Sequence, residues 1–199
     1  MLKISLLIVL MFLFASCTKI QPYITQYKLD TYVDANVDKQ TMCKDKTLKV
    51  AHAFSPNSLM LDGMNYMSGK YKMDTFTQSQ WIEAPNKSIT TQTIKAVENS
   101  QLYKDVSGEE SYVKSDFILE NSIEDFMQYF SKDESDSHVK VVILATLVDA
   151  KTKTSLGHKR FEKIQKSDSI DAYGGVVSLN QALTEVLEDE VKWLGEMCR

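Results

Sequence analysis

Proline and glycine are scarce in this chain, with 3 and 7 residues. That excludes long flexible linkers and the low-complexity architectures built on those residues. Histidine is scarce too: only His52, His138 and His158 occur. No two of them stand four apart, so the helical zinc-protease motif is missing. There is no Gly-rich loop ahead of a Lys-Ser/Thr pair, and no Gly-x-Ser-x-Gly elbow. Those absences remove a Walker-type nucleotide site and the usual serine-hydrolase turn. Cys43 and Cys198 belong to no Cys-x-x-Cys pair, so a zinc cluster is not expected. Basic residues are outnumbered, 23 against 27 acidic, for a net charge of −4. Nucleic acid calls for a basic face, which this balance argues against. No apolar run reaches the roughly 20 residues of a membrane-crossing helix.

What is present begins at the N-terminus. Lys3 supplies a small positive start, and Ile4 to Phe14 is apolar apart from Ser5. That is the layout of a signal peptide. Phe14-Ala15-Ser16-Cys17 follows and resembles the bacterial lipobox, with Phe14 where Leu is commonest. The expectation is a signal peptide over 1–16, a lipidated tether over 17–22 and a single periplasmic domain over 23–199. Cys17 would carry diacylglycerol, the only non-protein group expected; no cofactor and no metal are. More than one acyl chain makes a stable anchor, since each buried methylene contributes about 0.8 kcal/mol. The residue after the cysteine is Thr18 rather than Asp. That favours the cell outer membrane, periplasmic face.

Cys17 to Arg199 is long enough for one domain with a full core. Losing Lys3 with the signal leaves 22 basic against 27 acidic residues, or −5. Cys43 and Cys198 remain as an even pair in an oxidising compartment. A disulfide between them would close a loop of 155 residues. Two free thiols are the alternative, since sequence gives no distance.

Hydrophobic periodicity divides the domain. Tyr23 to Leu29 reads as a strand and Asp30 to Lys46 as a loop. Thr47 to Phe54 is a second strand. Met64 to Met67 and Tyr71 to Phe76 form a hairpin around Ser68-Gly69. Pro85 opens a helix carrying Ile89, Thr93, Ile94, Val97 and Leu102 on one stripe. Gly108 lies in a loop. Tyr112 to Phe130 is a long strand with Phe117, Leu119, Ile123, Met127 and Tyr129 on one parity, and a bulge near Asn121 and Asp125 is expected. Val139 to Val148 is apolar enough for burial on both faces. Leu156 to Ile164 is a polar strand near an edge. Ile170 to Met197 is the last helix, its regular start delayed by Gly174-Gly175. The fold class is α+β, a mainly antiparallel sheet with two principal helices packed on one face.

Some residues invite a binding role. Met64 and Met67, with Met60 and Met73, could form an adaptable surface for lipid or a partner. Trp81 could anchor an interface, as could Trp193; core packing is the blander reading of all of them. Asp133-Glu134-Ser135-Asp136 could hold calcium, but it lacks the Gly and distal Glu of an EF-hand loop and reads as a solvated turn. Glu185, Glu188, Asp189 and Glu190 read as a wet helix face. No catalytic residues are assigned, and the chain is not expected to be an enzyme.

The order of these landmarks resembles the ABC-type transport auxiliary lipoprotein family, whose best-known members are PqiC-like. The matching features are the lipobox, the aromatic strand Tyr23 to Leu29, and Ser79-Gln80-Trp81-Ile82-Glu83-Ala84-Pro85 before the first helix. Asp116 to Phe126, the apolar strand, and a final helix ending near Trp193-Leu194 complete it. The resemblance implies a non-catalytic accessory subunit of an MCE-type ABC system for lipid transport between membranes. Its partners would be an MCE-domain periplasmic protein, that protein's ABC permease and ATPase, outer-membrane lipid and, in a homo-oligomeric ring, further copies of itself. A structural or assembly lipoprotein of another outer-membrane complex is the alternative.

Overall fold

A computed structural model describes residues 23–33 and 43–198. The expected signal peptide and the lipidation site expected at Cys17 lie outside the described residues. Eight strands and two long helices follow in the order β1 Thr25–Tyr27, β2 Thr47–Val50, β3 Gly63–Ser68, β4 Lys72–Trp81, α1 Pro85–Ser100, β5 Asp105–Gly108, β6 Phe117–Phe130, β7 Ser137–Asp149, β8 Ser155–Lys166 and α2 Ala172–Met197. A 3-10 turn, Asn57–Leu59, precedes β3. The class is α+β, as the sequence indicates.

β6 organises the sheet. It pairs antiparallel with β7 from Phe117↔Asp149 to Phe130↔Ser137. On its other side its first residues run parallel to β2 and its last residues run parallel to β3. β4 lies antiparallel to β3, with β1 parallel beyond it. β5 lies parallel beyond β2, and β8 runs antiparallel to β7 as an edge strand. The longest pairings are therefore antiparallel, but the sheet is mixed. Parallel pairs need crossovers rather than tight turns; β2 and β5, which pair in parallel, are joined through β3, β4 and α1.

The core lies between the sheet and the helices. On β7, Val139, Val141, Ile143, Ala145 and Leu147 are buried against Leu179, Leu183, Val186, Leu187 and Leu194 of α2. The opposite face of β7 is more open: Val142 is covered, but Lys140, Leu144 and Thr146 are half-buried. The expectation of equal burial on both faces thus gives way to one dry face and one half-wet face.

Three other expectations need correction: the inward parity of β6, Gly108 and the start of α2. The bulge itself falls between Ile123 and Asp125, as expected. It shifts the pleat by one residue, so Phe126 and Gln128 turn inward in place of Met127 and Tyr129. Gly108 ends a strand rather than lying in a loop; Asp-Val-Ser-Gly has one apolar residue and no readable alternation, and its pairing to β2 defines it. Gly174 and Gly175 lie inside α2 rather than ahead of it. Asp171 caps the helix, its carboxylate accepting from the Gly174 amide at 2.8 Å. A Cβ on Gly174 would fall 2.2 Å from the Ser169 amide nitrogen, so the two glycines permit close packing of the first turn.

The segment after β1 crosses both helices. Asn180 of α2 accepts from the Asp30 amide at 2.8 Å. Gln92 of α1 accepts from Thr31 and donates to the Leu29 carbonyl. Leu29 and Val33 are buried beneath this strap. Further on, Cys43 is joined to Cys198 at the end of α2, with their Cα atoms 5.3 Å apart.

Because the bridge closes 155 residues, chain entropy sets its contribution at up to about 5 kcal/mol. Cys43→Ser with Cys198→Ser should lower the urea midpoint with the native fold kept. An unchanged midpoint would show that the bond constrains the unfolded chain little.

Candidate functional site

The structure separates the candidate contact residues. Met64 is 3% exposed and Trp81 4% exposed. Trp81 packs against Phe126, ring centroids 5.9 Å apart. Neither can meet a partner, and the surface reading of these two is corrected to core packing. The reason lies in the pleat: Met64 is the inward residue of β3, and Trp81 ends β4 where the chain turns into α1. Met67 is half-buried, while Met60 and Met73 are exposed. Trp193 is buried and meets Phe161 edge-on, centroids 6.1 Å apart.

His52 follows β2, His138 lies in β7 and His158 in β8, so the histidines stay apart. Among the described residues no three His, Cys, Asp or Glu side chains gather as a metal set would require. The turn at 131–136 closes on itself. Ser131 donates to Asp133, and Asp136 pairs with Lys166 at 3.3 Å. Hydrogen bonds from Ser131 and Ser135 hold the Asp133 carboxyl below its ordinary range.

A polar ladder crosses the half-wet face of the sheet. Arg160 of β8 bonds Glu124 of β6 at 2.7 Å and also Glu162. Lys140 of β7 lies 3.8 Å from Asp125 and 3.5 Å from Glu162. Tyr129 donates to Asp125 and stacks on His138, centroids 5.3 Å apart. Burial pushes the Asp125 carboxyl up, with the Tyr129 hydrogen bond and Lys140 acting against it.

At the start of β6 this face opens into a groove of about 690 Å³. Ala51, Ile118, Tyr112 and Val113 give it apolar walls, and Lys49, Lys114, Lys151 and Lys153 surround it with Glu109 and Glu120. Lys49 is fixed by donating to the Ser111 carbonyl at 2.7 Å. A smaller hollow continues past Ala51, Glu109 and Glu120 to Phe54 and Leu144. Phe54 and Tyr112 are exposed. The groove is open, broad and mixed in polarity. Sequence reasoning missed it because its residues come from four separate segments.

One acidic residue was misplaced by sequence. Glu185 and Asp189 do face water, both pairing with Lys163, but Glu190 is 1% exposed. Neither carboxylate oxygen of Glu190 has a hydrogen-bond partner among the described residues. Asn121 lies near enough to favour its charge slightly without bonding geometry, and itself donates to Thr93 at 3.5 Å. Burial dominates and pushes the Glu190 carboxyl up to about 7. The position falls one turn from Val186 and Leu187, on the stripe that faces the sheet; that spacing was the signal available.

Two outcomes follow from this burial. Met64→Asp should abolish folding, whereas Met73→Asp should leave the circular dichroism spectrum and melting curve nearly unchanged. A folded Met64→Asp protein would return that residue to the surface. For Glu190, the folded state keeps a proton that the unfolded chain loses above 4.5. Stability should therefore fall as pH rises from about 4.5 to 7 and level off above, a loss of about 3 kcal/mol at one pKa unit per 1.36 kcal/mol. Glu190→Gln should flatten that part of the urea-midpoint profile; a profile parallel to the wild type would mean Glu190 is charged when folded.

No family model and no curated protein matches the sequence. Solved structures do match in fold. A DUF330 protein from Xanthomonas campestris superposes with a TM-score of 0.78 at 17% identity, covering 87% of this chain and 95% of that one. A second crystal structure, of an uncharacterised protein, gives 0.67 at 14% identity over 86% and 99%. The PelC dodecamer from Paraburkholderia phytofirmans gives 0.50 at 10% identity over 81% and 96%. At such identities the likeness is one of fold, and it extends along nearly the whole of each of those chains.

Proposed function

We propose that this chain is a lipid-anchored, non-catalytic accessory subunit of an MCE-type ABC system for lipid transport between membranes. It docks on a periplasm-spanning MCE-domain partner at the outer membrane. The observation that carries this reading is the lipobox ending at Cys17, set a few residues ahead of a compact domain. The sequence resemblance to transport auxiliary lipoproteins supplies the system, and the whole-domain likeness to a DUF330 fold is compatible with it. The energy for transport comes from the partner ATPase. The open groove near β6, with exposed Tyr112 and four lysines, offers the partner a surface of mixed chemistry. A ring of copies is part of the proposal, supported by the related fold of a protein crystallised as a dodecamer.

Affinity purification of a C-terminally tagged chain from mildly crosslinked, detergent-solubilised native envelopes tests it. Mass spectrometry should recover an MCE-domain protein with its permease or ATPase, and native mass measurement should show more than one copy. Recovery of barrel proteins or cell-wall enzymes alone would replace this reading with that of an assembly lipoprotein of another outer-membrane complex.

A further inference from the structure

The strand register fixes which end of the domain the N-terminal tether approaches. Thr25 pairs in parallel with Ser79, and Tyr27 with Trp81. Followed backwards, β4 leads from Ser79 to Lys72 and the β3–β4 turn. The chain therefore enters β1 from the side of that turn, where Tyr23 and Ile24 stand exposed. Seven residues of β4 separate Ser79 from Lys72, about 23 Å at a strand rise of ~3.3 Å. Eight residues separate Cys17 from Thr25, and covalent geometry limits their reach to about 29 Å. A lipid on Cys17 is thus able to lie level with the turn but not far beyond it.

The turn has the chemistry of a bilayer interface. Gly69 takes the positive φ of 70° that the reversal requires, in open space. Tyr71 is 84% exposed and Met73 49% exposed. Lys70 places its ammonium 5.0 Å from the Tyr71 ring centre, and Lys72 pairs with Asp74 at 2.6 Å. Tyrosine prefers the headgroup level, where its ring meets acyl chains and its hydroxyl meets water. Lys70 adds a cation at that level, while Lys72 is offset by Asp74, so the aromatic and apolar side chains carry the contact. The loop before α2 ends at the same side of the sheet, because His138 pairs with Lys166 as Ser68 pairs with Phe130. It exposes Ile170, and the first turn of α2 exposes Tyr173.

We infer that the β3–β4 turn, Lys70-Tyr71-Lys72, rests on the bilayer surface beside the acyl anchor, so that the domain stands upright with its lysine-lined groove pointing away from the membrane. This rests on the lipid-anchor reading of Cys17. The groove end follows from the same register, since Val148↔Ser155 places the β7–β8 turn opposite the β3–β4 turn.

The test uses the full acylated chain, purified in detergent and returned to vesicles of phosphatidylethanolamine and phosphatidylglycerol. Tyr71→Cys, Met73→Cys, Leu61→Cys and Lys153→Cys each carry an environment-sensitive fluorophore; all four positions are exposed, so folding is preserved. Intact mass is read first. Acyl chains on Cys17 keep the anchor reading, and their absence overturns both it and this inference. With the acyl chains present, emission at 71 and 73 should shift to the blue and be quenched by nitroxide-labelled lipid, while emission at 153 stays unshifted. A blue shift at 61 or 153 with 71 and 73 in water would overturn the orientation and leave the anchor standing. All four positions in water would overturn it as well.

Discussion

The contact between α2 and the inward face of β6, β7 and β8 is the constraint on which the molecule is built. Of the 26 residues of α2, 15 are buried, because the sheet lies under one side and α1 and the strap over another. A helix covered on so many sides cannot rely on a narrow apolar stripe, and its mean composition is accordingly apolar. The two glycines at its start let the first turn approach Ser169 and Gln128. The bulge in β6 changes which parity faces the core: Ile123 points inward before it, and Phe126 and Gln128 point inward after it. Without that one-residue shift, Met127 and Tyr129 would take the places of Phe126 and Gln128.

Glu190 shows what the same contact costs. Its carboxyl occupies a dry site between helix and sheet with poor compensation, and burial drives it toward the neutral form. Gln128 is buried in the same layer and is better served, donating to Ser137 and Ser167. The ladder of Arg160, Glu162, Glu124, Lys140 and Asp125 solves the problem differently. It sets charges on the half-wet face, where water completes what partners do not.

Long periodic elements were legible in the sequence. Pro85 marks the start of α1, and the apolar run of β7 marks a central strand. The burial of Trp81 and Trp193 also fits the plainer of the two readings their positions allowed. What escaped notice was set by tertiary pairing rather than local pattern. β5 is defined by β2, the parallel joins at β2 and β3 by β6, and the groove by segments distant in the chain. Glu190 lies among acidic neighbours, Glu188 and Asp189, but its three-to-four-residue spacing from Val186 and Leu187 puts it on the buried face. The candidate surface at Met64 failed for a similar reason, because composition was read where parity decides.

If the chain is held by the lipid anchor proposed for Cys17, the sulfur link at Cys43 has a mechanical meaning. A pull from the N-terminus reaches β1, which three pairings hold against β4, and then the strap, held by Asn180 and Gln92. These fastenings are non-covalent, with Leu29 and Val33 buried beside them, and they yield before a covalent bond does. At Cys43 the peeling stops, since further tension passes through a covalent bond into Cys198 and the end of the most deeply embedded helix. The domain is thus built like a knot behind a short fuse: slack is released first, and the core carries load only after the slack is gone.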